Sequence, residues 1–240
     1  MEERLNKWLS QMGVCSRREA DRLIEAGKVL VDNRPASMGQ KVTPGQKVVC
    51  NGKMVRVDRS QRPRPVLLAV NKPKGIVCTT TDKDRAENIV DFLGYPERIY
   101  PVGRLDKHSE GLLLMTNQGD LVNKIMRSGN AHEKEYIVTI DKPVTERFLE
   151  QMAGGIRLPE LDQVTRPCKV KKVERNTFSI ILTQGLNRQI RRMCEACGCQ
   201  VKRLVRVRIM NIRLGNLRTG AYRQITKEEY EELTGLLKDS

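Results

Sequence analysis

The chain has few of the residues on which several common enzyme chemistries depend. Its 240 residues include two histidines and one tryptophan, and aromatic residues make up 4% of the composition. Neither His108 nor His132 has a second histidine at the spacing typical of a metal-binding motif, and no Ser-His-Asp set is evident. The glycine patterns of P-loop and dinucleotide-binding proteins are also missing. These absences disfavour metal, nucleotide-dependent and serine-hydrolase chemistry.

Long hydrophobic runs are missing as well. No stretch reaches the roughly 18 apolar residues that a membrane span needs, and the N-terminal segment has no signal-peptide hydrophobic region. The seven cysteines are an odd number and are spread along the chain, which is not typical of a disulfide framework. We therefore expect a cytoplasmic protein with reduced thiols and no membrane partner.

Positive charge is abundant, and it is unevenly distributed. The net charge is +15, to which residues 1–65 contribute +7, residues 66–165 contribute −2, residues 166–223 contribute +13 and residues 224–240 contribute −3. A charge of this size favours polyanionic partners such as nucleic acid. Two basic blocks therefore flank a nearly neutral centre.

Hydrophobic periodicity and turn residues predict two domains. RLNKWLSQM and SRREADRLIEAG have helical spacing, the second with Ser16 and Glu19 as a capping box, and KVLVDN and QKVVCNGKMVRV follow as short strands. RSQRPRP (59–65) is typical of a linker. Beyond it, strands such as VLLAVNKP, IVCTT, GLLLMT, EKEYIVTI and QVKRLVRVRI occur in runs with few helices between them. This order predicts an α+β protein with a mixed, largely antiparallel central sheet, in domains 1–58 and 66–240.

The predicted helix NRQIRRMCEACG has two different faces. Helical spacing groups Cys194 and Cys197 with the apolar residues, whereas Arg188, Arg191 and Arg192 lie on the opposite face. The cysteines are therefore interpreted as buried hydrophobes, although CEACGC leaves half of a zinc site as an alternative. The arginines precede the basic strand VKRLVRVR and indicate a phosphate-binding surface, the alternative being an ordinary solvated face.

One acid, Asp106, stands out in the neutral centre. It lies in a glycine-containing loop directly before the apolar run GLLLMT, and loops at strand ends often present reactive side chains. Spacing alone also allows an ordinary surface carboxylate paired with Arg104 or Lys107. Lys134 and Tyr136 alternate onto the same face of their predicted strand, so they can line one pocket, although Tyr136 could equally be a core aromatic.

The first block resembles the S4 RNA-binding domain. The residues that carry the resemblance are RLNKWL, CSRREADRLIEAGKVLVDN and PGQKVVCNG. The resemblance implies that Lys7, Arg17, Arg18 and Arg22 hold the RNA backbone. Two alternatives stay open for these helices, namely a DNA-binding regulator with a helix-turn-helix and a merely solvated basic face.

The rest of the chain resembles the Rsu/Rlu family of ribosomal pseudouridine synthases, and most of all its F-type large-subunit members. NKPKG, PVGRLDKHSEGLLLMTNQGDL, KEY and GLNRQIRRM occur in the family's order. The resemblance implies isomerisation of a uridine in ribosomal RNA, with the large subunit favoured and tRNA as a further candidate, by a monomer that needs no cofactor or metal. A non-catalytic ribosome-assembly factor is the alternative.

The same resemblance assigns roles to individual residues. It implies three catalytic residues: Asp106 as the carboxylate, Arg191 as its basic partner, and Tyr136, which stacks on the base and whose hydroxyl is a candidate acid or base. Base flipping and substrate contact are implied for Arg104, Lys134 and Arg188. Further RNA contacts are expected from Lys72, Lys74 and Arg192.

Overall fold

A computed structural model of the chain describes residues 2–55, 64–79, 87–126 and 132–238. The chain divides into two compact units. The first contains Met1–Pro65 and two short segments, Pro96–Arg98 and Asn117–Gly119, and the second contains the remaining residues. Most of the predicted linker, residues 59–63, lies outside the described residues, so the linker stays a prediction.

The first unit combines two helices with short antiparallel strands. Its elements are β1 (Glu3–Arg4), α1 (Leu5–Gln11), α2 (Arg17–Glu25), β2 (Val29–Val31), β3 (Arg34–Pro35), β4 (Lys41–Val42), β5 (Val48–Cys50) and β6 (Lys53–Val55). The strands form a sheet of order β3-β2-β5-β6 and a separate β1-β4 pair. The apolar stripes of both helices, including Trp8 and Ile24, pack with the strands in one core.

Local sequence signals explain where these elements begin and end. The Ser16 hydroxyl accepts a hydrogen bond from the Glu19 amide (3.1 Å), which caps α2 and is one of the two bonds of the predicted capping box. Asp32 and Asn33 both have positive φ, 51° and 65°, between the paired strands β2 and β3. Two such residues form the hairpin turn whose twist matches the flanking strands.

The second unit is built on a nine-stranded sheet. Its strands are β7 (Leu67–Lys72), β8 (Tyr100–Pro101), β9 (Glu110–Thr116), β10 (Lys134–Ile140), β13 (Lys169–Glu174), β14 (Thr177–Leu182), β15 (Val201–Ile209), β16 (Ile212–Arg213) and β17 (Tyr222–Gln224), while β11 (Arg157–Leu158) and β12 (Gln163–Val164) pair separately. The order is β13-β14-β10-β15-β9-β7-β17, with β8 on β9 and β16 on β15. Within the described residues, only β9 and β15 pair in parallel. The predicted α+β class with a largely antiparallel sheet is therefore confirmed.

Helices cover this sheet on both faces. They are α3 (Ile89–Leu93), α4 (Gly119–Met126), α5 (Glu146–Gly154), α6 (Gln189–Ala196) and α7 (Lys227–Leu236), with a 3-10 turn at Pro159–Leu161. Alternate residues of β9 enter different cores: Leu112 and Leu114 pack with residues of α4 and α7, whereas Leu113 and Met115 pack with Ile89. The strand GLLLMT is therefore buried on both sides, as its continuous apolar sequence predicts.

Helix α6 confirms the apolar face predicted for it, whereas Arg188, predicted on the opposite face, precedes the helix. Ile190, Met193 and Cys194 are buried in the core beneath β10 and β14, and Cys197 packs against the same cluster. Burial strongly raises the pKa of the Cys194 thiol. A thiol with so high a pKa is protonated at neutral pH, which fits its interpretation as a small core hydrophobe.

The strand predicted for IVCTT is wrong. Residues 76–79 are not in a strand, although Val77 makes an isolated bridge to Asn88, and Thr80 lies outside the described residues. The Ile76 carbonyl accepts a hydrogen bond from the Lys72 ammonium (2.8 Å). The Ile76 carbonyl is therefore bonded to a side chain and does not pair with a neighbouring strand.

None of the helices in the described residues is long and apolar enough to cross a membrane.

Candidate active site

Asp106 is presented by a loop that the sheet holds at both ends. The Val102 amide donates to the Leu114 carbonyl (2.8 Å) at the start of the loop, and the Ser109 amide donates to the Asp106 carbonyl (3.0 Å) before β9 begins. Leu105 is buried, and its amide donates to the Cys78 sulfur (3.4 Å). The half-buried Asp106 side chain therefore follows an anchored residue and faces an open cleft.

The NKPKG segment is hydrogen-bonded to the loop that carries Asp106. The Gly75 amide donates to the Lys107 carbonyl (2.8 Å), and the fully buried Lys72 ammonium donates to the Pro73 and Ile76 carbonyls (both 2.8 Å). Burial lowers the pKa of Lys72, while its electrostatic interactions with Cys78 and Asp106 act in the opposite direction. The expectation that Lys72 contacts RNA is thus not met in the structure, because its buried ammonium is already bonded to two backbone carbonyls of its own loop. Lys74, two residues on, is exposed.

The cleft beside Asp106 has a volume of about 320 Å³. It is bounded by the Asp106 loop, the end of α4, strands β10 and β15, and the turn that leads into α6. The predicted site residues that line it are Arg104, Asp106, Lys134, Tyr136, Arg188 and Arg191. The fold thus gathers residues from three separate sequence motifs at one place.

The Arg191 side chain is hydrogen-bonded to the loop that carries Asp106. Its guanidinium donates to the His108 carbonyl (2.9 Å) and to the Ser109 hydroxyl (3.4 Å). Burial and then the neighbouring Arg188 lower the pKa of Arg191, while its attraction to Asp106 acts in the opposite direction. The predicted pairing therefore takes a different form: the two charges attract each other, but the hydrogen bonds of Arg191 go to the loop that carries Asp106.

Lys134 and Tyr136 reach the cleft from β10, as their alternation predicts. The Lys134 ammonium donates to the His132 carbonyl (3.3 Å), and its pKa is lowered by burial and, to a smaller extent, by the charge of Arg206. Tyr136 is half-buried and also packs against the core under α6. The two interpretations of Tyr136 are therefore compatible, since one edge is core and the other is cleft.

Arg104 and Arg188 are exposed at the rim of the cleft. Arg188 precedes α6 with φ 50° and ψ 33°, a left-handed conformation that is uncommon for a residue other than glycine. Such strain persists only where the surroundings impose it, and it tends to occur at functional sites. The Arg188 side chain lies at the entrance of the cleft.

The other predicted RNA-binding residues lie outside this cleft. Arg17, Arg18 and Arg22 are exposed along α2, whereas Lys7 is half-buried and paired with Glu3 (3.4 Å). Arg192, although on the same helix as Arg191, donates to the Asn187 carbonyl (3.1 Å) and is ion-paired with Glu160. A contact between Arg192 and RNA would require these bonds to be exchanged.

Sequence reasoning missed one cleft residue, Arg206. The basic strand VKRLVRVR was interpreted as a surface, but the Arg206 side chain is only 3% exposed and lines the cleft. A signal was available, because Arg206 alternates onto the same strand face as Leu204, which is buried and also lines the cleft.

Comparison with known proteins identifies the family of the chain. The family model described as RNA pseudouridylate synthase matches residues 66–196, and that of the S4 domain matches residues 3–48. The chain belongs to the RNA pseudouridylate synthase family. The family resemblance carried by GRLD, KEY and RQIRRM is therefore confirmed, as is the S4 domain that precedes it.

The matches to individual relatives cover nearly the whole length of this synthase. It is 52% identical over 237 residues to the dual-specificity RNA pseudouridine synthase RluF of Escherichia coli K12, a match that covers 99% of this chain and 80% of that protein. It is 36% identical to the ribosomal large subunit pseudouridine synthase B of Bacillus subtilis strain 168, covering 98% and 96%. A solved pseudouridylate synthase structure superposes with a TM-score of 0.70 at 27% identity and covers 96% of this chain and 99% of that one.

Proposed function

We propose that this synthase converts a specific uridine of large-subunit ribosomal RNA to pseudouridine, with Asp106 as the catalytic carboxylate. The observation that carries the proposal is the convergence of Asp106, Tyr136, Lys134 and Arg191 on one cleft. The cleft volume is at the lower end of the range for small-ligand sites, which suits a single nucleotide rather than a duplex.

The reaction needs a carboxylate that acts on the sugar while the base is detached, turned and rejoined through carbon. A half-buried Asp106 on an anchored loop is suited to act as nucleophile at C1′ or as base at C2′. Arg191 supports it by fixing the loop and by adding a nearby positive charge. An opposite charge at short range favours the ionised form of a carboxyl group.

A uridine inside folded RNA must leave its stack to reach this cleft, at a cost of a few kcal/mol. The exposed rim residue Arg104 is placed to occupy the vacated position or to hold the flipped strand, and Arg188 to contact its phosphates. Tyr136 offers the aromatic face on which the extruded base can stack. Each of these residues keeps the role that the family resemblance implies for it.

The substrate class follows from the basic surfaces and from the relatives' names. Arg17, Arg18 and Arg22 form an exposed row on an S4 domain, and we propose that they grip the RNA backbone together with Lys74. One relative is named for the large ribosomal subunit and another for dual specificity toward RNA. We therefore favour large-subunit RNA and retain a tRNA as a second substrate.

The same proposal extends to organisation and location. The S4 match ends at residue 48 and the synthase match begins at residue 66, which supports domains 1–58 and 66–240 around a linker. We further propose that the synthase acts as a monomer, since a single cleft already contains Asp106, Tyr136 and Arg191. An RNA substrate and a chain of free thiols suit the cytoplasm.

Replacement of Asp106 by Asn tests the proposal. We expect tritium release from 5-³H-uridine in large-subunit RNA to fall by a factor on the order of 10⁴ or more, with RNA affinity nearly unchanged, because only the reacting group is removed. Asp162→Asn is the matched control, since Asp162 is exposed, pairs with Arg157 and does not line the cleft.

The assembly-factor alternative predicts that cells require the protein's RNA binding rather than its isomerisation of uridine. If Asp106→Asn releases tritium at the wild-type rate, the catalytic assignment is wrong. If the variant is inactive but fully restores growth and ribosome assembly, RNA binding rather than isomerisation is the function that the cell requires.

A further inference from the structure

Arg206 is a buried cation in the cleft that the proposed mechanism does not use. It lies on β15 directly opposite Tyr136 of β10, so the two side chains share one face of the sheet. It is also the parallel partner of Gly111 on β9. Arg206 therefore sits between the strand that carries the aromatic residue and the strand that follows the Asp106 loop.

Two of its three nitrogens are occupied by the backbone. Nε donates to the Leu112 carbonyl (2.7 Å) and Nη1 to the Arg104 carbonyl (3.4 Å). Nη2 is buried and, among the residues that the structure describes, has no hydrogen-bond partner. A buried guanidinium donor left unpaired is costly, and a native structure retains such a group where a partner arrives later or where it has a functional role.

Arg206 lies among other positively charged groups in the cleft. Lys134, on the same face of β10 as Tyr136, has its pKa lowered in part by the charge of Arg206. Among the described residues that line the cleft, Asp106 is the only acid, against Arg104, Lys134, Arg188, Arg191 and Arg206. The cleft therefore has a net positive charge, to which the buried Arg206 contributes as well as Arg104 and Arg188 at the rim.

We propose that Arg206 Nη2 donates a hydrogen bond to a carbonyl oxygen of the flipped uracil and, with Lys134, stabilises the charge that the detached ring carries. This inference rests on the proposed function. Tyr136, the cross-strand neighbour of Arg206, is the residue proposed to stack on the base, so a donor beside it meets the edge of the ring. Uracil has two carbonyl oxygens that point outward in the ring plane, and either can accept this bond.

The chemistry creates a need for such a donor at one stage. When the N1–C1′ bond breaks, its electron pair stays with uracil and is shared among N1 and the two carbonyl oxygens. C1′ meanwhile bonds to the Asp106 carboxylate, or forms a double bond to C2′ whose proton Asp106 has taken. C5 of the turned ring then bonds to C1′; as this bond forms, the bond between C1′ and the Asp106 carboxylate breaks, or the proton taken from C2′ is returned there. C5 then loses a proton and N1 gains one. No group is oxidised or reduced, and the donor acts only on the intermediate charge.

Substitution of Arg206 tests the inference by separating rate from affinity. We expect Arg206→Lys and Arg206→Met to lower the single-turnover rate of tritium release from 5-³H-uridine-labelled large-subunit RNA by about 100-fold, the usual effect of losing one such donor. The dissociation constant of the RNA should change less than about threefold, because binding rests on many other contacts. Arg157→Lys and Arg157→Met are matched controls, since Arg157 is exposed and does not line the cleft.

Two further measurements exclude a merely structural role. Added guanidinium ion should restore part of the rate of Arg206→Ala and leave Arg157→Ala unchanged. In RNA that carries 2-thiouridine or 4-thiouridine, a sulfur replaces one ring carbonyl oxygen and accepts hydrogen bonds poorly. The wild-type enzyme should lose rate with one of these two RNAs, whereas Arg206→Lys should lose little more than it has already lost.

The outcomes separate this inference from the function on which it rests. Wild-type rates in the Arg206 variants, together with inactive Asp106→Asn, would overturn the role of Arg206 and leave the proposed function intact. A loss of RNA affinity at unchanged single-turnover rate would instead assign Nη2 to a phosphate. Tritium release by Asp106→Asn would overturn the proposed function itself.

Discussion

Replacement of Arg191 by Lys tests how the catalytic loop is held. Arg191 Nη2 lies 2.9 Å from the His108 carbonyl oxygen and 3.4 Å from the Ser109 hydroxyl. Lysine keeps the positive charge near Asp106, but its ammonium is a single point that cannot reproduce the planar fork of arginine. The substitution thus separates the charge of Arg191 from its two hydrogen bonds.

The size of the effect follows from the bonds that are lost. A hydrogen bond that involves a charged group contributes about 1.5–3 kcal/mol. Loss of one of them, with the loop free to shift, corresponds to about a 10- to 100-fold lower rate if the loop must be ordered in the transition state. Ser109 is 1% exposed, so its hydroxyl has no water to replace the guanidinium.

The assay is a double-mutant cycle on the rate of tritium release. Arg191→Lys and Ser109→Ala are measured singly and together, with Arg157→Lys as the control for arginine replacement. If both act through the Asp106 loop, their effects should be less than additive by at least about 0.5 kcal/mol. Full additivity, or a wild-type rate in Arg191→Lys, would refute the idea that Arg191 acts by holding the loop.

Two further predictions concern stability. The Arg223 guanidinium holds both oxygens of Glu229 (2.7 Å each), and the pKa of Glu229 is lowered chiefly by this contact. Glu229→Gln should therefore destabilise the fold by about 1–2 kcal/mol at pH 7 in urea unfolding, and the difference should vanish as pH falls through the lowered pKa, since the contribution exists only while the carboxylate is ionised. At Gly111, φ is +102° and an added Cβ would lie 2.3 Å from the Arg206 carbonyl oxygen. Gly111→Ala should cost about 3 kcal/mol or more, whereas Gly235→Ala, in the open on α7, should be neutral or stabilising. Equal melting temperatures for the two alanine variants would contradict this account.

The local sequence determined much of the fold. Helix α6 buries Ile190 and Met193 because residues three apart share a helix face, and β9 is buried on both sides because its run of apolar residues is unbroken. Capping residues set the starts of α2 and α7: the Ser16 hydroxyl caps α2, and Thr226 and Glu229 form a capping box at α7. The order of the motifs likewise sufficed to indicate the family.

Only the tertiary structure decided how the charged residues are used. Spacing could place Lys72, Arg191 and Arg206 on strands and helices, but their partners lie in other parts of the chain. Arg191 bonds a carbonyl 83 residues away, and Arg206 bonds two that are 94 and 102 residues away. Whether a cation is buried or exposed depends on which strands pair, and that pairing follows from the packing of the whole sheet rather than from nearby residues.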